Sequence, residues 1–225
     1  MCIRDSIMWS LGNECKNPEI LRTILVQQYV NQMGETHVLH AYDPTRPWHY
    51  EQARDNFATG IDVYSGMYET VEQMIAYAEA GHDTPYIECE YEHAMGNAMG
   101  NMDEYQAAFD TYRSLQGGFI WDFVDQSLRK TGKNGAMIYG YGGDWNPYDA
   151  SDWNFCDNGL ISPDRVPNPH MHEARYWQQP VWTTLGEDRR TLTVFNENFF
   201  RPLDNCYLRW TVLRDGDPVL SLIHI

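Results

Sequence analysis

The sequence is short of positive charge. Lys and Arg number 16 against 32 Asp and Glu, a formal net charge of −16 over 225 residues. A surface this acidic repels phosphate backbones and anionic lipid, which excludes nucleic acid and membrane surfaces as partners. There is no apolar run long enough to span a bilayer and no visible signal peptide. Cysteine is sparse: Cys2, Cys15, Cys89, Cys156 and Cys206 are widely spaced and form no CxxC pair. That spacing predicts free thiols in a reducing compartment, not a disulfide framework or a zinc site. Internal repeats and low-complexity runs are absent too. What is present is apolar and aromatic: 43% hydrophobic and 14% aromatic residues. This is enough to bury the core of one large domain, or one and a half.

The two ends mirror one another. Met1-Cys2-Ile3-Arg4-Asp5-Ser6 can be encoded by ATG-TGT-ATA-AGA-GAC-AGN. The reverse complement of ATGTGTATAAGAGACAG translates as Leu-Ser-Leu-Ile-His-Ile, the residues at 220–225. An inverted pair of this kind is the pattern of a sequencing-library adapter read through as coding sequence. Residues 1–6 and 220–225 are therefore set aside from the fold, and residues 7–219 are expected to be an interior piece of a longer gene.

Within that piece strands and helices alternate. Ile7–Leu11 reads as a buried strand stopping at Gly12-Asn13-Glu14. Asn17-Pro18 starts a helix with Leu21, Ile24 and Leu25 on one face. Asp43–Pro47 is a loop, Trp48–Tyr50 a strand ending at Glu51, and Ile61–Tyr64 another strand. Thr70-Val71-Glu72-Gln73 fits a capping box, followed by Val71, Met74, Ile75 and Ala78 at helical spacing and a stop at Gly81. Pro85–Glu90 is the next strand. Asn101 caps a helix carrying Tyr105, Ala108, Phe109 and Tyr112, and Gly118–Trp121 is a further strand ending at Asp122. Alternation predicts a parallel sheet. Polar groups at strand C-terminal ends are the habit of (β/α)8 barrels, although pattern alone fits an open doubly wound sheet as well. After Pro180 the period becomes two, in Thr191–Phe195 and Tyr207–Val212, with Asp215-Gly216 as a hairpin signal. This reads as the start of a β-sandwich.

Two glutamates close strands far apart in the chain, Glu14 and Glu90. A retaining glycosidase needs such a pair at one barrel mouth, with carboxyl groups roughly 5 Å apart: one protonates the leaving oxygen, the other attacks the anomeric carbon. Spacing alone favours two solvated loop glutamates. Trp9, Tyr64, Tyr68, Trp121 and Phe155 stand at or just after strand ends, where ring faces can cover the apolar side of a sugar; ordinary core packing is the competing reading, and the preferred one for Trp9. Glu88, Cys89, Glu90, Glu92 and His93 crowd together, but adjacent residues rarely converge on one metal ion. Cys89 is read as a packed residue.

Four blocks occur in order: Trp9-Ser10-Leu11-Gly12-Asn13-Glu14; Cys89-Glu90-Tyr91 with His93-Ala94-Met95-Gly96-Asn97; Gln116-Gly117-Gly118-Phe119-Ile120-Trp121-Asp122 with Val124-Asp125-Gln126-Ser127; and Phe155-Cys156 with Asn158-Gly159-Leu160. Together with Asp43–Pro47 and Met67-Tyr68 they resemble the large bacterial β-galactosidases of glycoside hydrolase family 2. The resemblance covers most of residues 7–180. It implies an α/β fold: a partial (β/α)8 TIM barrel, about strands 4–8, over residues 7–182, then the beginning of an all-β immunoglobulin-like sandwich over 183–219. It implies a retaining hydrolase of terminal β-D-galactosides such as lactose. Glu14 aligns with the acid/base and with a Mg2+ ligand, and Glu90 with the nucleophile. Asn13 would bind the sugar 2-hydroxyl, Tyr68 would assist departure of the nucleophile, His93 would contact sugar hydroxyls, and Trp121 would floor the site. Asn158 and the Phe155 carbonyl would hold Na+. A cytoplasmic location and a homo-oligomeric parent follow from the same resemblance. A β-glucuronidase or a non-catalytic carbohydrate-binding relative are the alternatives, and the former needs basic groups near these motifs.

The sequence departs from the family's pattern after Glu14, where Cys15-Lys16-Asn17-Pro18 replaces the usual Ser-Gly, leaving the neighbouring loop and the Mg2+ geometry in doubt. Glu88 and Glu92 are expected to raise the pKa of Glu90 by like-charge repulsion. With the first three barrel strands missing, sheet edges are open, and the piece by itself is expected to be inactive and aggregation-prone.

Overall fold

The computed structural model describes residues 6–14, 43–51 and 61–224. The helix expected after Asn17 lies outside them. The chain divides into two compact units, residues 1–177 and 178–225. Residues 182 and 183, where the boundary was expected, lie in the strand Val181–Leu185.

The first unit is organised by short parallel strands: β1 (Trp9–Ser10), β2 (Trp48–His49), β3 (Tyr64–Gly66), β4 (Tyr86–Tyr91) and β5 (Leu115–Ile120). β1 pairs with β2 in parallel, and β3, β4 and β5 form a three-stranded parallel sheet. A parallel bridge from His49 to Val63 links the two groups. The arc continues beyond β5, where the Asp122 amide donates to the Asn158 carbonyl at 2.9 Å and Val124 bridges Ile161 in parallel. The described strands thus form an open parallel arc, with one helix between β3 and β4 and one between β4 and β5, not a closed barrel.

The strand expected at Ile61–Tyr64 sits further along, at β3. Ser65 and Gly66 are weak strand formers by propensity, so local pattern did not reach them. Packing selects them: a Cβ on Gly66 would stand 1.9 Å from the Tyr86 hydroxyl.

Helix α1 (Val71–Glu79) forms as its sequence directs. The Thr70 hydroxyl accepts from the Gln73 amide, Gln73 returns a bond to the Thr70 amide, and Gly81 takes φ +76° just past the end. Its buried Met74 and Tyr77 pack with Tyr86, Leu115 and Ala108, the last from α2 (Met102–Thr111). Tyr105, Phe109 and Tyr112 join that cluster, as the helical spacing predicted. Asn101 occupies the N-cap position of α2 but its side chain does not cap. Its φ of 54° is left-handed, and its amide lies instead 3.4 Å from the Glu104 carboxylate. A second cluster joins Ala94, Met99, Met102 and Leu160 to Ala174 of α3 (Met171–Trp177).

Sequence pattern missed an antiparallel hairpin, β6 (Leu128–Thr131) with β7 (Met137–Gly140). The signal was present in Asn134-Gly135, where Gly135 takes φ +79° in the turn.

The second unit comprises two antiparallel hairpins, β8 (Val181–Leu185) with β9 (Leu192–Asn196) and β10 (Leu208–Arg214) with β11 (Asp217–His224). Asp215 and Gly216 both take positive φ in the connecting turn, as a two-residue hairpin requires. Residues 220–224, set aside above, pair with Leu208–Val212 within β11.

Candidate active site

The C-terminal ends of the strands of the first unit converge on a cleft of about 470 Å³. Asn13, Glu14, Tyr68, Glu90, His93, Trp121, Phe155 and Asn158 all line it. These are the eight residues to which the resemblance assigns a site role, and all eight line this one cleft. A larger, apolar hollow of about 870 Å³ lies at the N-terminal ends of the strands, where Met8, Val63, Ile87 and Phe119 face it. Among the described residues no glutamate or histidine lines it, whereas Glu14, Glu90 and His93 line the smaller cleft.

Glu90 stands near the end of β4 and is buried. Asn13 donates to its Oε1 at 3.1 Å, and the Tyr68 hydroxyl also hydrogen-bonds it. Burial pushes the Glu90 carboxyl above the usual range. The Tyr68 and Asn13 bonds oppose that shift, while Glu14 and Glu51 add to it. The carboxylates that act on Glu90 are therefore Glu14 and Glu51, not Glu88 and Glu92 as expected. Glu88 is turned into a buried cluster with Tyr86 and Glu69. Glu92 is pushed up to about 7 by burial and then by Glu173 of α3. Tyr68 is held well above the ordinary phenol range, first by burial and then by Glu90. It remains a neutral donor to the carboxylate at any working pH.

Glu14 follows β1 in a left-handed conformation, φ 49°. Its amide donates to Glu51 Oε2 at 3.0 Å. Glu51 is buried just past β2; it is not among the residues that line the cleft, but it acts on two that are, Glu14 and Glu90, and sequence reasoning passed over it. Its position should have flagged it, since it ends a strand as Glu14 and Glu90 do. Gln126, Asp152 and Cys156 also line the cleft and were not anticipated there.

His93 Nε2 lies 3.3 Å from Asn158 Nδ2, and its ring centroid 5.3 Å from that of Phe155. Trp121 directly follows β5, its amide bonded to the Tyr91 carbonyl and its carbonyl to the Ala94 amide. Two of the aromatic candidates leave the site. Trp9 stacks on Trp48 and donates to Asp43, and Tyr64 packs on Tyr77 and Tyr86 in the core.

The residues expected to hold the two ions can be compared by their surroundings. Asn158 is 1% exposed, and its Oδ1 is buried with no hydrogen-bond partner among the described residues. Its Nδ2 donates to the Phe155 carbonyl at 2.8 Å, so that carbonyl meets the amide nitrogen and not Oδ1. The orphaned Oδ1 is a hard-oxygen donor left open, of the kind that suits Na+. For Mg2+, no group of three or more His, Cys, Asp or Glu that could hold a metal occurs among the described residues. Glu14 alone does not make that site.

Gly159 explains why a glycine follows Asn158. A Cβ there would lie 2.1 Å from the Asp125 amide nitrogen and 2.7 Å from the Ile161 carbonyl oxygen. Backbone cannot yield as a side-chain tip can. Gly159→Ala should therefore destabilise the fold by about 3 kcal/mol, the upper part of the overpacking range, measured as a lower urea midpoint. An unchanged midpoint would mean that the Asp122–Asn158 strand contact is not formed in solution.

The family described as glycosyl hydrolases family 2, TIM barrel domain, matches residues 5–183. Among curated relatives, a β-galactosidase of Alteromonas mediterranea is 40% identical, over 96% of this chain and 21% of that protein. One of Vibrio vulnificus is 38% identical over 97% of this chain and 22% of the relative, and one of Klebsiella pneumoniae 38% over 95% and 21%. The chain thus spans about a fifth of the length of the curated relatives it matches. Among solved structures, a Faecalibacterium prausnitzii β-glucuronidase aligns with a TM-score of 0.43 at 19% identity, over 76% of this chain and 31% of that one. A family 2 β-galacturonidase from Eisenbergiella tayi aligns with a TM-score of 0.47 at 14% identity, over 76% and 33%. With the family matched over most of its length, the chain belongs to glycosyl hydrolase family 2 and carries part of that family's TIM barrel domain.

Proposed function

We propose that the chain is the later part of the catalytic barrel of a longer retaining β-galactosidase, with the beginning of an immunoglobulin-like sandwich after it. The carrying observation is the Glu90 carboxylate, buried and held by Asn13 and Tyr68 in one cleft with Glu14.

Glu90 attacks the anomeric carbon from one face, forming a covalent galactosyl ester. Glu14 protonates the departing oxygen and then, as base, takes a proton from the water that cleaves the ester. Hydrogen bonds from Tyr68 and Asn13 favour the ionised carboxylate that burial disfavours, which keeps Glu90 available as a nucleophile. As the ester breaks, charge returns to Glu90, and the Tyr68 hydroxyl is placed to stabilise it. Asn13 then also faces the sugar 2-hydroxyl, His93 contacts ring hydroxyls, and Trp121 covers the apolar sugar face. Na+, held by Asn158 Oδ1 and the Phe155 carbonyl, would supply a fixed positive charge for a sugar hydroxyl. No step is assigned to Mg2+.

A galactoside suits this cleft better than a uronide. No Lys or Arg lines it among the described residues, so none of those residues offsets a sugar carboxylate, which would add negative charge beside Glu14 and Glu90. The test uses the parent polypeptide, recovered by sequencing the gene outward on both sides. It should hydrolyse 4-nitrophenyl β-galactoside at least a hundredfold faster than the matching glucuronide. Comparable rates, or the reverse order, would overturn the substrate assignment.

A further inference from the structure

Tyr68 reaches Glu90 from an awkward stretch of chain. It takes φ 54°, a left-handed conformation that a tyrosine keeps only when its surroundings enforce it. The next residue is what the fold grips. The Glu69 amide donates to Glu88 Oε1 at 3.2 Å, its carbonyl accepts from the Tyr105 hydroxyl at 2.9 Å, and its carboxylate lies 3.1 Å from the Tyr86 hydroxyl. That same hydroxyl donates to Glu88 Oε1 at 2.5 Å. Thr70 follows at once and caps α1, so Glu69 is the link between the Tyr68 turn and a rigid helix.

Glu88 and Tyr86 are both fully buried, and Gly66 leaves room for their contact by having no side chain. A carboxylate in such a place is costly, and an apolar residue of similar size would fill the strand position at less expense. What an apolar residue could not do is accept from the Glu69 amide. Glu88 lies two residues before Glu90 on β4. One strand therefore presents the nucleophile and also anchors the loop that carries the nucleophile's hydrogen-bond donor. The Tyr68 amide closes the arrangement by donating to the Glu90 carbonyl at 2.8 Å.

We propose that Glu88 is a positioning residue, which fixes the Tyr68 hydroxyl on Glu90 by holding the Glu69 backbone, with Tyr86 locking the Glu88 carboxylate in place. This rests on the reading of Glu90 as nucleophile and Tyr68 as its partner, and it assigns a role to the buried acid that the motif itself does not explain.

The test is a double-mutant cycle in the parent enzyme, reading kcat and KM with 4-nitrophenyl β-galactoside alongside thermal unfolding. Glu88→Ala should lower kcat by ~10-fold to 100-fold, the scale of an ångström-sized misplacement, with KM rising little. Glu88→Gln, whose amide oxygen still accepts from Glu69, should restore most of the rate. On a Tyr68→Phe background Glu88→Ala should cost almost nothing more, because the hydroxyl it positions is gone. An equal loss on both backgrounds would overturn the proposal, as would a loss not relieved by Glu88→Gln. If Glu88→Ala does not fold, Tyr86→Phe takes its place in the same cycle under the same criteria. A Tyr68→Phe enzyme with unchanged kcat would instead show that Tyr68 has no catalytic role, removing the basis of the proposal and of that part of the mechanism together.

Discussion

Glu90→Gln in the parent enzyme lowers kcat for galactoside hydrolysis by on the order of 10⁴-fold or more, the scale of losing a covalent nucleophile. The amide is nearly isosteric, so Asn13 and the cleft wall stay in place and substrate still binds. The loss therefore falls on kcat, with the fold intact by thermal unfolding. Asn13→Ala gives the smaller, informative companion result. It removes one of the two hydrogen bonds that favour ionised Glu90, while burial, Glu14 and Glu51 still push its carboxyl up. A bond to the charged form lowers a pKa, so losing it raises the pKa. The acid limb of kcat/KM should then move to higher pH, since Glu90 must be ionised to attack. An acid limb unmoved by Asn13→Ala would mean that another group controls it.

Glu14→Ala produces a loss that depends on the leaving group. An aglycone that departs poorly without a proton, such as the glucose of lactose, should be released ~10²- to 10⁴-fold more slowly, the usual contribution of a general acid. Release of 2,4-dinitrophenol needs little protonation and should be much less affected in the galactosylation step. With the base also gone, the galactosyl enzyme should accumulate, and added azide should accelerate turnover by attacking the ester without base assistance. A uniform loss across leaving groups, with no azide effect, would assign Glu14 a structural role. The Glu14 amide is fixed on the buried Glu51, so the backbone around position 14 is restrained when its side chain is removed.

The site residues were picked out through the family resemblance, since strand ends alone left Glu14 and Glu90 reading as solvated loop glutamates; their meeting in one cleft has a simple cause. Glu14, Glu90 and Trp121 follow short apolar runs, and a parallel arrangement carries all strand ends to one rim. The capping box at Thr70 and the Asp215-Gly216 turn were legible because each is set by a few neighbouring residues. The β6–β7 hairpin was missed although its Asn134-Gly135 signal is local; the other misses needed tertiary information. β3 contains Ser65 and Gly66, both weak strand formers, and Gly66 is chosen for close approach to Tyr86 and not for strand propensity. Asn101 has the residue type of a cap, but its left-handed backbone keeps the side chain from acting as one. Glu88 illustrates the limit best. Sequence proximity made it a repulsive neighbour of Glu90, whereas its hydrogen bonds run to Tyr86 and to Glu69, well back along the chain. Like charges close in sequence need not be close in their effects.

The identity of the residue that becomes covalently bound to sugar decides the account most directly. The parent enzyme is incubated with a 2-deoxy-2-fluoro-β-galactoside bearing a good leaving group, which slows release of the ester more than its formation. It is then digested and sequenced by tandem mass spectrometry. The account predicts one stoichiometric fluorogalactosyl adduct, on Glu90, within the peptide that contains Glu88 to Asn97. An adduct on Glu14 or Glu51, or inactivation without any covalent sugar, would contradict it.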